Sequence, residues 1–268
     1  MAEIIMHNLT TSKNTNLKAP ELIRYKIFAG FKNLIHFTTT KSALPVEESK
    51  FTRSAEEEKQ RNITRLSEIT GIEKHRFVFP VQIHSSNIRI VRPPVEKFIT
   101  DTDALITEIP GICLCVQTAD CVPVFVFHPG RNIIAMVHAG WRGTAGMIVK
   151  MSISLMMDKF NLAPEGFLFA MGPAIGAKVY EVGSDVISEF QNNFPSSEKY
   201  LNPLPGNKAL LDLREANKNL LLSMGIKKEN IEIPPYCTYS DRHTFYSARR
   251  DGRNTGRMVS GIMVTDNG

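Results

Sequence analysis

Three strongly apolar segments follow closely on one another in the middle of the chain, and they constrain its fold more than any other feature. They are residues 112–116, 122–127 and 132–137, and residues 167–170 form a fourth segment of the same kind. Each is short, nearly continuous in apolar character and bounded by turn residues, which predicts strands that are covered on both faces. Such strands need other elements packed above and below them, so we expect a mixed α/β fold.

Helices are predicted where residues that can cap a helix N-terminus precede an amphipathic stretch. These residues are Thr144, for a helix to about residue 160, Ser184, for residues 185–194, and Asp212 with Glu215, for a helix that ends at Gly225. No repeat, low-complexity tract or linker-like stretch divides the sequence. We therefore predict one domain that covers residues 1–268.

Charge and composition exclude several classes of protein. The formal net charge of +5, from 32 Lys and Arg against 27 Asp and Glu, is mildly basic and compatible with anionic substrates. The basic residues are dispersed except for Arg249, Arg250, Arg253 and Arg257, and this cluster lacks the aromatic platform of a single-strand binder. We expect no nucleic-acid partner.

The chain shows neither a secretory signal nor an apolar stretch of transmembrane length, so we expect a cytoplasmic protein without a membrane partner. Four cysteines in 268 residues do not make a disulfide framework. Cys113 and Cys115 lie two apart on a predicted strand and are interpreted as buried small hydrophobes. The sequence leaves the oligomeric state open.

Candidate metal ligands stand at the ends of predicted strands. His84 lies in a polar loop at residues 82–86, Cys121 follows Asp120, and His138 precedes the sequence Ala-Gly-Trp-Arg-Gly. One sulfur and two imidazoles are suited to a single soft or borderline metal. Gln82 and Asp120 are candidate hydrogen-bond partners of these ligands.

Other interpretations of the same residues remain open. Cys121 is a metal ligand, a nucleophile or a buried filler, and His138 is a ligand or a core histidine hydrogen-bonded to the backbone. A thiol hydrolase that uses Cys121 and His138 without a metal is one alternative, and a zinc-binding protein without catalytic activity is another.

An anion site is predicted beside the candidate ligands. Residues 140–143 carry two glycines and Arg142, and they lead into the helix expected from Thr144, whose N-terminus would favour a phosphate. Arg249 and Arg250 are further candidates for binding phosphate, and Gln82 is a candidate contact for phosphate or substrate. The loop does not match an ATP-type phosphate motif, because no Gly-Lys-Ser/Thr sequence ends it.

Six segments together resemble the laccase-domain family, in the order in which that family has them. They are Gln-Ile-His-Ser at 82–85, Asp-Ala-Leu-Ile-Thr at 103–107, Thr-Ala-Asp-Cys-Val-Pro at 118–123, His-Ala-Gly-Trp-Arg-Gly at 138–143, Gly-Pro-Ala-Ile-Gly at 172–176 and Phe-Tyr-Ser-Ala-Arg-Arg-Asp-Gly at 245–252. The similarity covers roughly residues 77–264. The chain departs from the family at 38–41, where Thr-Thr-Thr-Lys replaces the usual Ser-Thr-Arg-Gly-Gly.

The resemblance implies a fold, a reaction and a metal site. Members have been labelled multicopper polyphenol oxidases and are also described as zinc-dependent purine nucleoside phosphorylases with adenosine deaminase activity. The implied substrates are phosphate and the nucleosides adenosine, inosine, guanosine and methylthioadenosine. His84, Cys121 and His138 match the metal-binding triad of the family. The implied fold is a layered α/β sandwich resembling the catalytic fold of deamidating toxins.

Zinc suits this sequence better than copper. A multicopper centre groups several metals on closely spaced histidines, whereas this chain has seven histidines and no His-x-His pair. Three protein ligands with an open fourth position are typical of a catalytic zinc. Asp120 or Asp103 is a candidate proton shuttle for deamination, and Asp120 is our first choice.

Overall fold

The computed structural model describes residues 21–51, 55–194 and 196–266, which form fifteen strands and six α-helices. The strands are β1 (Leu22–Ile23), β2 (Leu34–Thr39), β3 (Phe77–Pro80), β4 (Ile88–Ile90), β5 (Phe98–Ile99), β6 (Ala104–Thr107), β7 (Cys113–Thr118), β8 (Val122–His128), β9 (Ile133–Ala139), β10 (Leu168–Met171), β11 (Glu181–Val182), β12 (Leu201–Leu204), β13 (Lys208–Leu211), β14 (Ile231–Glu232) and β15 (Met258–Val264). The helices are α1 (Glu56–Thr70), α2 (Trp141–Ala145), α3 (Ile148–Phe160), α4 (Ser184–Asn193), α5 (Leu213–Ser223) and α6 (Ala248–Asp251).

Two six-stranded sheets make up the centre of the fold. The first has the strand order β1-β2-β15-β7-β3-β5, and the second has the order β14-β10-β8-β9-β6-β4. Both sheets are mixed, because β3 pairs in parallel with β5 and β7, and β6 pairs in parallel with β4. A third, three-stranded sheet has the order β11-β13-β12.

The apolar faces of these sheets produce a layered core. On β8, Val124 and Val126 pack with the cluster that includes α3 and α5, while Phe125 and Phe127 pack in the cluster between the two large sheets. On β7, Cys113 and Cys115 share the outer face of the first sheet with apolar residues of α1. Each central strand is therefore buried on both faces, as its continuous apolar character predicted.

The predicted mixed α/β sandwich is confirmed. The four apolar segments form β7, β8, β9 and β10 within two residues of the predicted bounds. The predicted cap at Asp212 is confirmed, because its carboxylate accepts hydrogen bonds from the backbone N–H groups of Arg214 and Glu215 at the start of α5. The second half of the capping box differs: the backbone N–H of Asp212 donates to the Tyr200 carbonyl, and the Glu215 carboxylate binds Lys218 and Asn219. Cys113 and Cys115 are fully buried, as predicted.

The prediction of one helix from Thr144 to residue 160 is wrong, because the helical path begins before Thr144 and is broken at Met147. The chain forms the short α2 first, and Met147, with φ of 59°, then interrupts the helical path before α3 begins. Thr144 is fully buried inside α2 and caps nothing; its hydroxyl oxygen accepts a hydrogen bond from the side-chain amide of Asn217 at 2.9 Å. Local capping signals did not predict this break between α2 and α3, because left-handed backbone at a non-glycine residue depends on tertiary contacts.

None of the helices formed by the described residues is long and apolar enough to span a membrane.

Candidate metal centre

The register of the second sheet assembles most of the site. Strands β8 and β9 are antiparallel with Val122 opposite Ala139, so the residue before β8 lies next to the residue after β9. Those residues are Cys121 and Gly140. Strand β6 pairs with the other edge of β9, with Ala104 opposite Val137, and the backbone N–H of His138 donates to the carbonyl of Asp103 at 2.8 Å. Strand pairing therefore places Cys121, His138 and Asp103 at one end of the sheet.

His84 reaches the same place from the loop that connects the two large sheets, between β3 and β4. Gln82 fixes the start of this loop, because its amide donates to the carbonyl of Gln117 and accepts from the N–H of Gln117, both at 2.8 Å. Gln82 is thus bound to β7. The sequence had predicted that Gln82 supports His84. Asp103 fulfils that supporting role, as described below.

The three candidate ligands converge. The ligand atoms of His84, Cys121 and His138 all lie within 4.8 Å of one another. The two imidazole rings meet edge to face, with centroids 4.8 Å apart. His138 is buried, Cys121 is half-buried and His84 is exposed, so the cluster opens to solvent on one side. A three-ligand site with one open side is the arrangement of a catalytic metal.

The space around the cluster also fits a metal. A Cβ atom at Gly140 would lie 2.9 Å from the Cys121 Sγ and 3.2 Å from the His84 Cδ2, which is closer than packed atoms tolerate. Glycine at this position allows the Cys121 sulfur and the His84 ring to approach each other. The donor set of two nitrogens and one sulfur is one that zinc accepts.

The electrostatics of the cluster favour a charged form of each buried group. Burial alone would raise the pKa of Cys121, but the imidazoles of His138 and His84 outweigh it and lower that pKa below its usual value. Burial would lower the pKa of His138, and the neighbouring Cys121 and Asp103 raise it instead. Burial opposes ionisation of Asp103, yet the hydrogen bonds from His138 and Ser85 lower its pKa to about 2. A thiolate of this kind is the form that binds metals.

Asp120 is next to Cys121 in sequence, but its carboxylate binds a different part of the chain. One oxygen accepts a hydrogen bond from the Thr238 hydroxyl and the other from the backbone N–H of Arg249, each at 2.6 Å. Its φ of 98° is outside the usual range for a non-glycine residue. These contacts tie the C-terminal segment to the Cys121 loop. The catalytic role predicted for Asp120 has no geometric support and stays a prediction.

Two of the predicted phosphate-binding arginines are available to a ligand. Arg142 is exposed, and its guanidinium lies 4.2 Å from the Trp141 ring centroid. Arg249 is exposed as well; its guanidinium lies 5.0 Å from the Tyr180 ring centroid and donates to the Glu181 carbonyl at 2.7 Å. Within the described part of the chain, neither guanidinium forms a salt bridge with a carboxylate.

Arg250 has no free donor for a phosphate. Its guanidinium N–H groups bind the carbonyls of Thr238, Tyr239 and Phe245 and the carboxylate of Asp251. All five donors of the side chain are used in these bonds. Arg250 therefore stabilises the turn before α6, and the phosphate-binding role expected from its sequence position is not supported.

The predicted helix N-terminus does not provide a phosphate site in the expected form. The helix that follows Gly140 is the five-residue α2, and the longer α3 begins only at Ile148. The dipole of a helix grows with its aligned peptide units, so five residues contribute little to anion binding. Of the phosphate contacts predicted at this loop, the Arg142 side chain therefore remains.

The comparison with known proteins identifies the family. The family described as "Multi-copper polyphenol oxidoreductase laccase" has a sequence model that matches residues 48–265. The chain belongs to this family. A protein named purine nucleoside phosphorylase from Bacteroides thetaiotaomicron is 33% identical over 263 residues, which are 92% of this chain and 97% of that protein. A protein named adenosine deaminase from an unknown prokaryotic organism is 35% identical over 202 residues, 72% of this chain and 76% of that protein.

Solved structures agree with the family assignment. The crystal structure of YlmD from Geobacillus stearothermophilus has a TM-score of 0.84 and 26% identity, and the match covers 94% of this chain and 98% of that chain. The hypothetical protein YfiH from Bacillus licheniformis has a TM-score of 0.85 and 28% identity, covering 93% and 98% of the two chains. Both share the layered fold described above.

Sequence reasoning missed one residue that faces the site. Tyr180 is 8% exposed, lies against Arg249 and interacts electrostatically with Cys121, Asp120 and Arg142. It follows the Gly-Pro-Ala-Ile-Gly segment at 172–176, which is one of the six segments that carry the family resemblance. The signal available in the sequence was a large polar aromatic residue within one helical turn's length, about four residues, of a glycine-rich segment of the family pattern.

Proposed function

We propose that this protein is a zinc-dependent purine nucleoside phosphorylase that also deaminates adenosine. The observation that carries the proposal is the convergence of His84, Cys121 and His138 at an open-sided cluster. The names of the relatives that match most of the chain point to the same two reactions. We further propose that residues 1–268 act as one domain, because residues from 82 to 249 contribute to the site.

Zinc is the proposed metal, and these three residues would hold it. A zinc ion with three protein ligands and an open position supplies Lewis-acid chemistry and lowers the pKa of bound water to about 7. The copper alternative, implied by the family description, requires several metals. His84, Cys121 and His138 make up the one cluster of potential metal ligands among the residues that the structure describes.

The proposed phosphate contacts are Arg142 and Arg249. Both guanidiniums are exposed and lie on aromatic rings, which limits their rotation, and both interact electrostatically with Tyr180 beside the metal cluster. A phosphate between them would gain charge-assisted hydrogen bonds.

Phosphorolysis then needs no change in oxidation state. A phosphate oxygen forms a bond to C1′ of the ribose while the bond from C1′ to the purine nitrogen breaks, and the electron pair leaves with the base, which takes up a proton. In deamination, water adds at C6 of adenosine and ammonia leaves. The residues of the chain contribute by orienting phosphate and nucleoside against each other.

A substrate screen tests the proposed reactions. Adenosine, inosine, guanosine and methylthioadenosine are incubated with the protein, with and without phosphate, and the free base and sugar phosphate are detected by mass. We expect the free base and the corresponding sugar 1-phosphate only when phosphate is present, and inosine from adenosine in either case. No turnover of any nucleoside by zinc-loaded protein would contradict the proposal.

The variant Cys121→Ser tests the metal site. We expect it to lose most of the zinc and both activities together, while the fold persists, because a core of this size does not depend on one metal. The matched control is Cys237→Ser, whose thiol is also half-buried but hydrogen-bonds to the backbone N–H of Gly176 instead. Normal zinc content in Cys121→Ser would remove the thiol from the ligand set.

A metal-free thiol hydrolase is a second candidate, and one observation favours it. Cys121 interacts with His138, whose Nδ1 lies 2.8 Å from a carboxylate oxygen of Asp103, so the three form a nucleophile, base and orienting acid. This enzyme would stay active after chelation. It would form a covalent adduct at Cys121 that mass spectrometry detects. Its Cys121→Ser variant would have the same metal content as the wild type, because the thiol would not be a metal ligand.

A further inference from the structure

Asp103 is a fully buried carboxylate whose two oxygens bind five donors. Its Oδ1 lies 2.8 Å from Nδ1 of His138 and accepts from the backbone N–H of His84 at 3.0 Å. Its Oδ2 accepts from the backbone N–H of Ser85 and from its hydroxyl, both at 2.7 Å, and from the N–H of Ile83 at 3.3 Å. A single side chain therefore contacts the segments that carry two of the three metal ligands.

The contact with His138 determines which nitrogen of its ring can bind a metal. An ionised carboxylate only accepts hydrogen bonds, so Nδ1 of His138 carries the hydrogen that lies between them. In the neutral, metal-binding form of the ring the lone pair is then on Nε2, and the ring is held in one orientation. His138 consequently presents Nε2 toward Cys121 and His84.

The contact with the 83–85 loop determines where His84 points. His84 has φ of 62°, a left-handed conformation that is uncommon in non-glycine residues. Successive backbone N–H groups that turn toward one anion form an anion-binding concavity, and here the anion is the Asp103 carboxylate. This anion compensates the strain of the turn, and the turn places the His84 ring opposite His138.

We propose that Asp103 is the positioning residue of the metal centre, orienting His138 through its ring and His84 through its backbone. The proposal rests on the proposed function in that a metal must bind at these ligands. It replaces the proton-shuttle role considered for Asp103 from sequence, because its oxygens face donors and have no exposed surface to reach a substrate.

The variant Asp103→Asn tests this role. An amide has one accepting oxygen and one donating group, so in either orientation some N–H or O–H donors of the site face an NH₂ group. We expect the zinc affinity to fall about 10- to 100-fold, as is typical when the hydrogen-bond partner of a metal-binding histidine is lost. Competition with a chromophoric chelator measures that affinity. The visible bands of the cobalt-substituted protein should shift as the ligand geometry changes.

The matched control is Asp212→Ala. Asp212 also accepts backbone N–H groups, but at the start of α5, where loss of the cap lowers stability without touching the metal ligands. We expect the control to bind zinc as tightly as the wild type and to show the same cobalt spectrum. A drop in zinc affinity that both variants share would therefore assign the effect to general destabilisation and overturn the proposal.

The remaining outcomes separate this proposal from the proposed function. Wild-type protein that binds no zinc contradicts the proposed function itself. Tight zinc binding by the wild type and equally tight binding by Asp103→Asn contradicts only the positioning role. If Asp103→Asn does not fold, the positioning role is tested on the wild type instead. A long-range ¹H–¹⁵N spectrum of zinc-loaded protein labelled at histidine shows which ring nitrogen of His138 binds zinc. We expect zinc on Nε2 of His138 and a proton on Nδ1, and zinc on Nδ1 would overturn the proposal.

Discussion

Gly140 leaves the space in which the metal ligands meet, so adding one methyl group there is a direct test of the site. In Gly140→Ala the new Cβ would lie 2.9 Å from the Cys121 Sγ and 3.2 Å from the His84 Cδ2. The backbone of Gly140 has φ of −73° and ψ of 177°, an extended conformation that alanine adopts without strain. The effect of the substitution is therefore purely a matter of space.

The magnitude follows from the crowding. Unbonded heavy atoms prefer separations of about 3.5–4.0 Å, so the methyl group must displace the sulfur by at least about 0.6 Å and the ring by at least about 0.3 Å. Without metal, both side chains can rotate away, whereas the bound state fixes them within about 0.2 Å. If overpacking costs about 1–3 kcal/mol in the bound state, the zinc affinity falls roughly 5- to 140-fold.

The assay is competition for zinc with a chromophoric chelator, together with phosphorolysis rates at saturating zinc. Gly30→Ala is the matched control, because a Cβ at Gly30 would meet nothing within 4 Å. We expect the control to match the wild type in zinc affinity and thermal stability. Unchanged zinc affinity in Gly140→Ala would show that the metal does not bind where the three side chains converge.

Three further predictions concern stability. Burial and the nearby Arg24 charge lower the pKa of His36 to about 4, below the unfolded-state pKa of about 6.5. The fold favours the neutral ring, so stability should fall by about 3 kcal/mol as the pH drops from about 6.5 to about 4. Urea unfolding of His36→Gln should show a flatter pH profile, and parallel curves would contradict this. Zinc at about 1,000 times its Kd should stabilise the protein by about 4 kcal/mol. In thermal scans a chelator should remove this stabilisation, and equal melting temperatures with and without zinc would contradict metal binding. Asp212→Ala should cost about 1 kcal/mol through the lost cap of α5, measured by urea unfolding, and a neutral effect would refute the capping role.

Local signals in the sequence predicted the elements whose stability is local. The apolar segments of β7 to β10 and the Asp212 cap depend on side chains within a few residues, and the structure contains them nearly as expected. The helix predicted from Thr144 failed because Met147 adopts a left-handed conformation among tertiary contacts. A neighbouring segment fixes this break, since the Ser86 hydroxyl donates to the carbonyl of Gly146 at 3.1 Å.

The candidate site was predictable in its ligands and not in the contacts around them. His84, Cys121 and His138 are rare residue types at strand ends, and motif resemblance brought them together. Gln82 binds the backbone of Gln117, and Arg250 binds the backbone of the 238–245 turn as well as the neighbouring Asp251. No spacing in the sequence encodes these backbone contacts. A side chain that can bind a substrate therefore looks the same in sequence as one that stabilises a turn.

The two carboxylates considered as proton carriers show how strand register separates such roles. Asp103 precedes β6 and lies beside His138, so it orients metal ligands. Asp120 precedes Cys121, but its carboxylate binds Thr238 and the backbone of Arg249. Because Arg249 is a proposed phosphate contact, Asp120 links the position of the phosphate to the position of a metal ligand. The relative placement of the two halves of the proposed site is thus set by one carboxylate, and the geometry of the candidate metal ligands by the other.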